Sequence, residues 1–381
     1  MGGRWRHRRK KNSCMHEDQS IECLTKESRR PPCDAPRRML VEFMLDSHLL
    51  SAHGLCPRAA RSLSAIALSL FIFGCQENYQ VSSARPEVWE GWKDGQIVDA
   101  RTGRPVPMNG WIKGLAAYDI IYLGEEHHNR YHIDAALLVL RSLIEQHRRP
   151  VLAMEMFGWD GQSALNQHLA SKMPDRDELL QRVLWKQNWG GAFEDYEPLV
   201  EFAKDHQLPL LALNPPKTLI RQVVGQGLTQ VKEQAEWRRW DMERETIVDD
   251  SAYRSRIMTQ LQDCHGGGSF EDYQRMYEAS MVRDEAMAKT LAAALTHITL
   301  ENNPVQGPVL SYTGGGHVQY GLPVPNRVAR RIPNGLRQVT VYLTTFEEKR
   351  ATELVQAMKE GIADYLWLTP MGAQGPPRRC R

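Results

Sequence analysis

From Tyr118 to His132 the chain reads YDIIYLGEEHHNRYH: an apolar run, Ile120 to Leu123, breaks at Gly124 into Glu125, Glu126, His127 and His128, with His132 close behind. An apolar run bounded by a glycine reads as a buried strand. The first strand is therefore placed at Asp119–Gly124, and the same signal returns at Val151–Met156, Pro209–Leu213, Pro308–Thr313, Gln338–Leu343 and Tyr365–Thr369. Continuous apolar runs suit strands of a parallel sheet covered on both faces. The intervening stretches carry helical period. In Tyr131–Gln146, for example, Ile133, Ala136, Leu137, Leu140 and Ile144 recur three and four residues apart. Strands alternating with helices predict an α/β fold, a mainly parallel sheet flanked by helices.

The 381 residues suffice for one such domain with appendages. Residues 1–74 read as a basic N-terminal extension and signal or lipoprotein segment, and 75–114 as a tether with irregular structure or a small hairpin. Residues 115–216 form the first half of the α/β domain. Residues 217–300 form a helical subdomain inserted before the fourth strand, 301–370 the second half, and 371–381 a disordered tail. The net charge of +2 is uneven: residues 1–74 carry 13 Lys/Arg against 7 Asp/Glu, leaving 35 and 39 for the remainder. The body is mildly acidic with no basic stripe, which argues against nucleic acid as a partner. Seven cysteines include no CxxC pair, so zinc ribbons and redox dithiols are out. Arg58 and Arg61 precede the apolar run Leu63–Gly74, which is too short for a comfortable membrane span and ends at Cys75. A small residue before a cysteine at that place resembles a bacterial lipobox. The expectation is an exported chain, lipidated at Cys75 and anchored to the bacterial cell envelope.

In an open parallel sheet, ligands bind beyond the carboxyl ends of the strands. There the first strand delivers Glu125, Glu126, His127 and His128, the second Glu155, the third Asn214, and the fourth three glycines and His317. Isolated charges at such an edge cost several kcal/mol each unless matched, so the cluster is paired, metal-bound or functional. Each residue also has a packing role open to it. Glu125 or Glu155 can cap a following helix, and His127, His128 and His132 can lie on the surface of its first turn. Two carboxylates and two imidazoles, Glu125, His127, Glu155 and His317, suit a divalent metal that activates water, or metal-free acid–base chemistry. No HExxH or GxSxG is present.

LGEEHH with His132, AMEMF at Ala153–Phe157, the segment Trp189–Pro216, Phe270–Ala288, Gly314–Arg331 and Ala363–Pro370 together resemble the ChaN-like haem-binding uptake lipoproteins. The resemblance covers about residues 110–370. It implies a membrane-anchored protein of haem or iron uptake, haem held at a homodimer interface, and tyrosine as iron ligand. The motif residues Glu125, His127, His132, Glu155 and His317 carry over. Tyr196, Tyr273 and Tyr277 are the candidate haem ligands, with His132 and Asn214 beside the cofactor. Here GGGH stands where AGNGH is common. The family is similar to erythromycin esterases and Tiki-type metallopeptidases, which use Glu and His at the same edge. A haem-binding protein is thus the first expectation and a Glu/His or metal-dependent hydrolase the alternative.

Overall fold

The computed structural model describes residues 91–301, 306–332, 335–373 and 375; the basic extension, the Cys75 lipobox and most of the tail lie outside them. All six apolar runs are strands. With a short hairpin they form one eight-stranded sheet: β1 Ile97–Asp99, β2 Pro105–Val106, β3 Ile120–Glu125, β4 Arg149–Gly158, β5 Leu210–Asn214, β6 Gln306–Gly314, β7 Gln338–Thr345 and β8 Tyr365–Thr369. The order is β2-β1-β8-β7-β3-β6-β4-β5. The six strands from β8 to β5 are parallel, and the hairpin adds antiparallel to the β8 edge. The α/β expectation holds.

The strands are apolar on successive residues because both faces are covered. Ile121 and Leu123 of β3 point into one core with Leu152, Met154 and Leu310, under helices Arg130–Glu145 and Glu197–Asp205. Ile120 and Tyr122 point into the opposite core with Val151, Ala153 and Val309. Each fully buried aliphatic side chain contributes about 1.5–3 kcal/mol, so the two faces stabilise the same strands twice over. The opposite face is closed by helix Phe270–Glu301, 32 residues long. Its Met287, Ala288, Leu291 and Leu295 lie on the sheet. Its Ala279, Val282 and Ala286 instead pack with Leu219, Val223, Trp237 and Met242. One helix thereby joins the helical stretch after β5 to the sheet.

Two local features shape the carboxyl edge. Asn129 caps helix Arg130–Glu145 by accepting from the Tyr131 N–H at 3.0 Å, which satisfies a donor the helix cannot. Next to it, His128 sits at φ 64°, a left-handed conformation costing an L-residue of its kind about 1–2 kcal/mol. β4 slips register against β5 between Met154 and Gly158. Such a bulge re-aims side chains next to a site, and Glu155 lies within it.

Gly124 tests this packing. A Cβ there would meet Val318 Cγ2 and stand 3.0 Å from Gly315 Cα, whereas Gly225, in helix Lys217–Gln226, has nothing within 4 Å. Gly124→Ala should cost about 1–3 kcal/mol in denaturant unfolding, while Gly225→Ala should stabilise by up to about 1 kcal/mol. Equal effects at the two positions would contradict the packing described.

Candidate functional site

The end of β3 is organised around a buried carboxylate. Glu125 Oε1 accepts from the Tyr196 hydroxyl at 2.9 Å and faces His127 Nδ1 at 2.8 Å; Oε2 accepts from the Tyr312 hydroxyl at 2.6 Å. Burial, reinforced by the Glu125 charge, pushes both phenols above the ordinary tyrosine range. They therefore act as neutral donors that hold the carboxylate in place. The His127 ring, in contrast, reaches the surface with 43% of its side chain exposed. Burial of its inner side lowers its proton affinity, but the hydrogen bond and charge of Glu125 more than compensate, and the net shift is upward. Trp189 meets it edge to face at 4.8 Å. His128 is pinned beside it: its N–H donates to Tyr196 Oη at 3.1 Å, and its Nδ1 lies 2.6 Å from Asp195 Oδ2.

Glu155, delivered by the bulge in β4, is the second buried carboxylate. Its Oε2 accepts from the Gly314 N–H at 2.6 Å, and its Oε1 meets Arg283 Nη2 at 2.5 Å and His317 Nε2 at 3.3 Å. Asn214 donates to the Glu155 carbonyl at 2.6 Å and accepts from Arg283 Nε at 2.8 Å. His317 Nδ1 lies 2.5 Å from Asp284 Oδ1, and Asp284 Oδ2 accepts from the Tyr253 hydroxyl at 2.6 Å. Both nitrogens of His317 are therefore taken. Burial opposes its charged form, yet Glu155 and Asp284 on either side outweigh that and hold its pKa up at about 9. Burial pushes Glu155 the other way, but His317 and Arg283 keep it ionised well below the usual carboxylate range. The two carboxylate systems meet at Gly314: a Cβ there would lie 2.7 Å from His127 Cε1 and 3.4 Å from Glu155 Oε2.

The structure thus brings together Glu125, His127, Glu155, Asn214, His317 and Tyr196. It places His132, Tyr273 and Tyr277 elsewhere. His132 is fully buried; its Nδ1 accepts from the Glu126 N–H at 2.9 Å, so its Nε2–H donates to Thr369 Oγ1 at 2.9 Å. Burial pushes its pKa down to about 3. Glu126 turns the same way and accepts from Thr344 and Thr345 at the end of β7. Tyr273 donates to the His265 carbonyl at 2.6 Å, and Tyr277 to Asp249 at 2.7 Å. Sequence reasoning missed Arg283, Asp284, Tyr312 and Tyr253. A signal for the first two was present: Arg283-Asp284-Glu285 interrupts the apolar Met281-Val282 and Ala286-Met287, a place where charges must find partners. The divalent-metal expectation for Glu125, His127, Glu155 and His317 is not supported. Those residues stand as two pairs, the Arg283 guanidinium occupies Glu155, and among the described residues no three His, Cys, Asp or Glu side chains are arranged around a cation.

Two histidines give opposite pH limbs. His317 has its folded pKa raised above the ordinary 6.5, so its stabilisation is complete below about pH 6.5 and is lost as pH rises through 9. His132 has its folded pKa depressed, so its contribution is present above about 6.5 and is lost as pH falls toward 3. Thermal melts across pH should show both limbs. His317→Gln should flatten the alkaline one and His132→Gln the acid one; limbs unchanged by these variants would assign them to other groups.

Comparison with known proteins agrees with the fold and extends it. Residues 111–328 match the family described as haem-binding uptake, Tiki superfamily, ChaN. The structure of ChaN of Campylobacter jejuni with cofacial haem superposes with a TM-score of 0.55 at 18% identity, over 72% of this chain and 96% of that one. A mutant of erythromycin esterase EreC in its open conformation gives a TM-score of 0.37 at 14% identity, over 66% of this chain and 76% of that one. Among curated proteins, RETICULATA-RELATED 5, chloroplastic, of Arabidopsis thaliana is 28% identical over 278 residues; these are 68% of this chain and 35% of that protein, so the chain spans about a third of the relative's length. The family match covers more than half of the sequence, and this chain accordingly belongs to the ChaN family of haem-binding uptake proteins in the Tiki superfamily.

Proposed function

We propose that this chain binds haem at the carboxyl edge of its sheet, as a membrane-associated component of haem or iron uptake. The observation that carries the reading is the family match across residues 111–328, which contain all six residues gathered at that edge. The donor chemistry fits in one respect and not in another. As placed, Tyr196, Tyr273 and Tyr277 are buried and their hydroxyls are committed to Glu125, the His265 carbonyl and Asp249, so none presents a free phenolate. Asn214 and His132 are committed as well. An exposed imidazole fixed by a carboxylate is present in His127, and imidazole is an established haem-iron donor. Bound haem would supply the redox-active iron; the chain's own residues orient the donor and, through Trp189, give it an apolar neighbour.

A second reading is favoured by the same pair. A histidine whose Nδ1 rests on a buried carboxylate is also the arrangement of a general base, and ester or peptide hydrolysis there would require His127 and Glu125. His317, with both nitrogens held between carboxylates, is an ion-pair partner on either reading.

Anchoring is proposed from sequence: the Arg58–Gly74 segment and Cys75 have the form of a lipoprotein signal. The chloroplastic relative from Arabidopsis offers another membrane-bounded compartment for members of this group. Among the described residues no helix is long and apolar enough to cross a membrane.

Titrating the purified chain with hemin should give a saturable Soret shift, with light scattering reporting a dimer. An unsaturable spectral drift of the kind given by non-specific adsorption would end the haem reading, and turnover of a model ester abolished by Glu125→Gln would install the hydrolase. Expressed in a bacterial host, the wild-type chain should fractionate with membranes and Cys75→Ser should not; identical fractionation would remove the lipid anchor.

A further inference from the structure

We infer that helix Ser251–Cys264 is a movable cover over the His317–Asp284 pair, latched by the Tyr253 hydroxyl; the inference stands apart from both the haem and the hydrolase readings. The helix bridges the two elements that meet at that pair. Near its start, buried Tyr253 donates to Asp284 Oδ2 at 2.6 Å, while Asp284 Oδ1 lies 2.5 Å from His317 Nδ1. Further along, Arg256 lies over the Tyr320 ring at 3.4 Å from its centre, and Gln260 accepts from Gln319 at 3.4 Å. Both contacts fall on the turn that follows His317. With the helix seated, 16% of the His317 side chain and 3% of the Asp284 side chain are exposed.

What holds this helix is concentrated at one end. Tyr253 is the single buried residue of its 14. Ile257, Met258 and Leu261 are half-buried against Tyr277, Met281 and Leu322. The outer clamp, Arg256 to Glu360 at 3.1 Å, is more than a third exposed on both sides, and such pairs contribute little. Both connections can yield. Residues 245–250 have no regular structure. After Cys264 the chain turns through three exposed glycines; a Cβ at Gly266 or Gly267 would meet nothing within 4 Å, and Gly267 sits at φ 94°. The Tyr273 hydroxyl donates to the His265 carbonyl at 2.6 Å and ties that turn to the long helix, so the hinge stays seated while the helix swings. Few buried apolar contacts and open flanks mark a unit that opens below the global unfolding free energy. Burial, reinforced by the Asp284 charge, keeps the Tyr253 phenol a neutral donor. Its release removes one partner from Asp284 and admits water to the pair. The cover thereby decides when His317 and Asp284 meet solvent.

Native-state hydrogen exchange of the full chain tests this, read beside diethyl pyrocarbonate labelling of its histidines by mass spectrometry. Amides of residues 257–261 should exchange roughly a hundredfold faster than those of β3, with little dependence on denaturant. Tyr253→Phe keeps the ring and removes the latch. It should speed exchange of the helix by about tenfold, the loss of one hydrogen bond to a charged group, and leave β3 unchanged. His127, 43% exposed, should label at once in either protein, and fully buried His132 in neither. His317 should label faster in Tyr253→Phe, in proportion to the exchange of the helix. Should that variant fail to fold, wild-type exchange and Arg256→Ala, which releases the outer clamp, decide the matter in the same direction. Exchange of residues 257–261 with the rate and denaturant dependence of β3 would make the helix part of the global folding unit and overturn the cover. Faster helix exchange with His317 labelling unchanged would leave a fraying helix that covers nothing. No change in either readout for Tyr253→Phe would remove the latch. None of these outcomes depends on hemin binding.

Discussion

The carboxylate of Glu155 ties the carboxyl edge together. It sits at the end of a central strand with no access to water, and an unmatched charge there would cost several kcal/mol. It is matched by the Gly314 N–H at the end of β6, by Arg283 from the long helix and by His317 from the turn after β6, while Asn214 at the end of β5 takes its carbonyl. These partners come from elements far apart in sequence, and all must be in register at once. The apolar faces of the sheet do not impose this. Many combinations of Val, Leu and Ile could fill them to similar density, whereas the charge of Glu155 needs these named partners at hydrogen-bond distance.

The two buried carboxylates are satisfied by different chemistry, and the difference divides their roles. Glu155 is neutralised by cations, and His317 is drawn in as one of them, held charged between Glu155 and Asp284. Glu125 is met instead by two phenols and one imidazole. Phenols do not cancel a charge, so Glu125 keeps its pull on His127. The tyrosines, beside a carboxylate and out of water, are driven away from the phenolate form that would bind a metal. Tyr196 and Tyr312 are thus supports at this edge, and the exposed side chain is the imidazole that their carboxylate helps to orient.

The strands could be read from the sequence because burial on both faces writes itself as unbroken apolar residues, which little else does in runs of five or six. The edge position of Glu125, Glu155, Asn214 and His317 followed from the same reading, since the residue after a buried strand has few places to go. What escaped was pairing. Arg283 lies 128 residues from Glu155, and which turn of the long helix faces which strand end depends on how that helix packs. Tyr196 was legible by type but not by role, because a hydroxyl's partner is set by distances that spacing does not encode. The bulge in β4 escaped for a similar reason: AMEMF reads as uninterrupted strand, and the register shift shows only where β4 is paired with β5. His132, four residues after His128, looks like a site residue on paper; its first-turn position on an amphipathic helix turns it inward to Thr369 instead.

These constraints leave little of the edge free to change. Glu155, Arg283, Asp284 and His317 each hold another, so altering one strands a buried partner. Glu125 is locked by two hydroxyls, and Glu126 and His132 bind the ends of β7 and β8 to β3. His127 is held by this network through its inner nitrogen alone, and among the described residues its outer nitrogen makes no hydrogen bond. The left-handed backbone at His128 belongs to the same economy: strain of about 1–2 kcal/mol is tolerated directly after His127, and it turns the chain so that one imidazole faces Glu125 and the next faces Asp195.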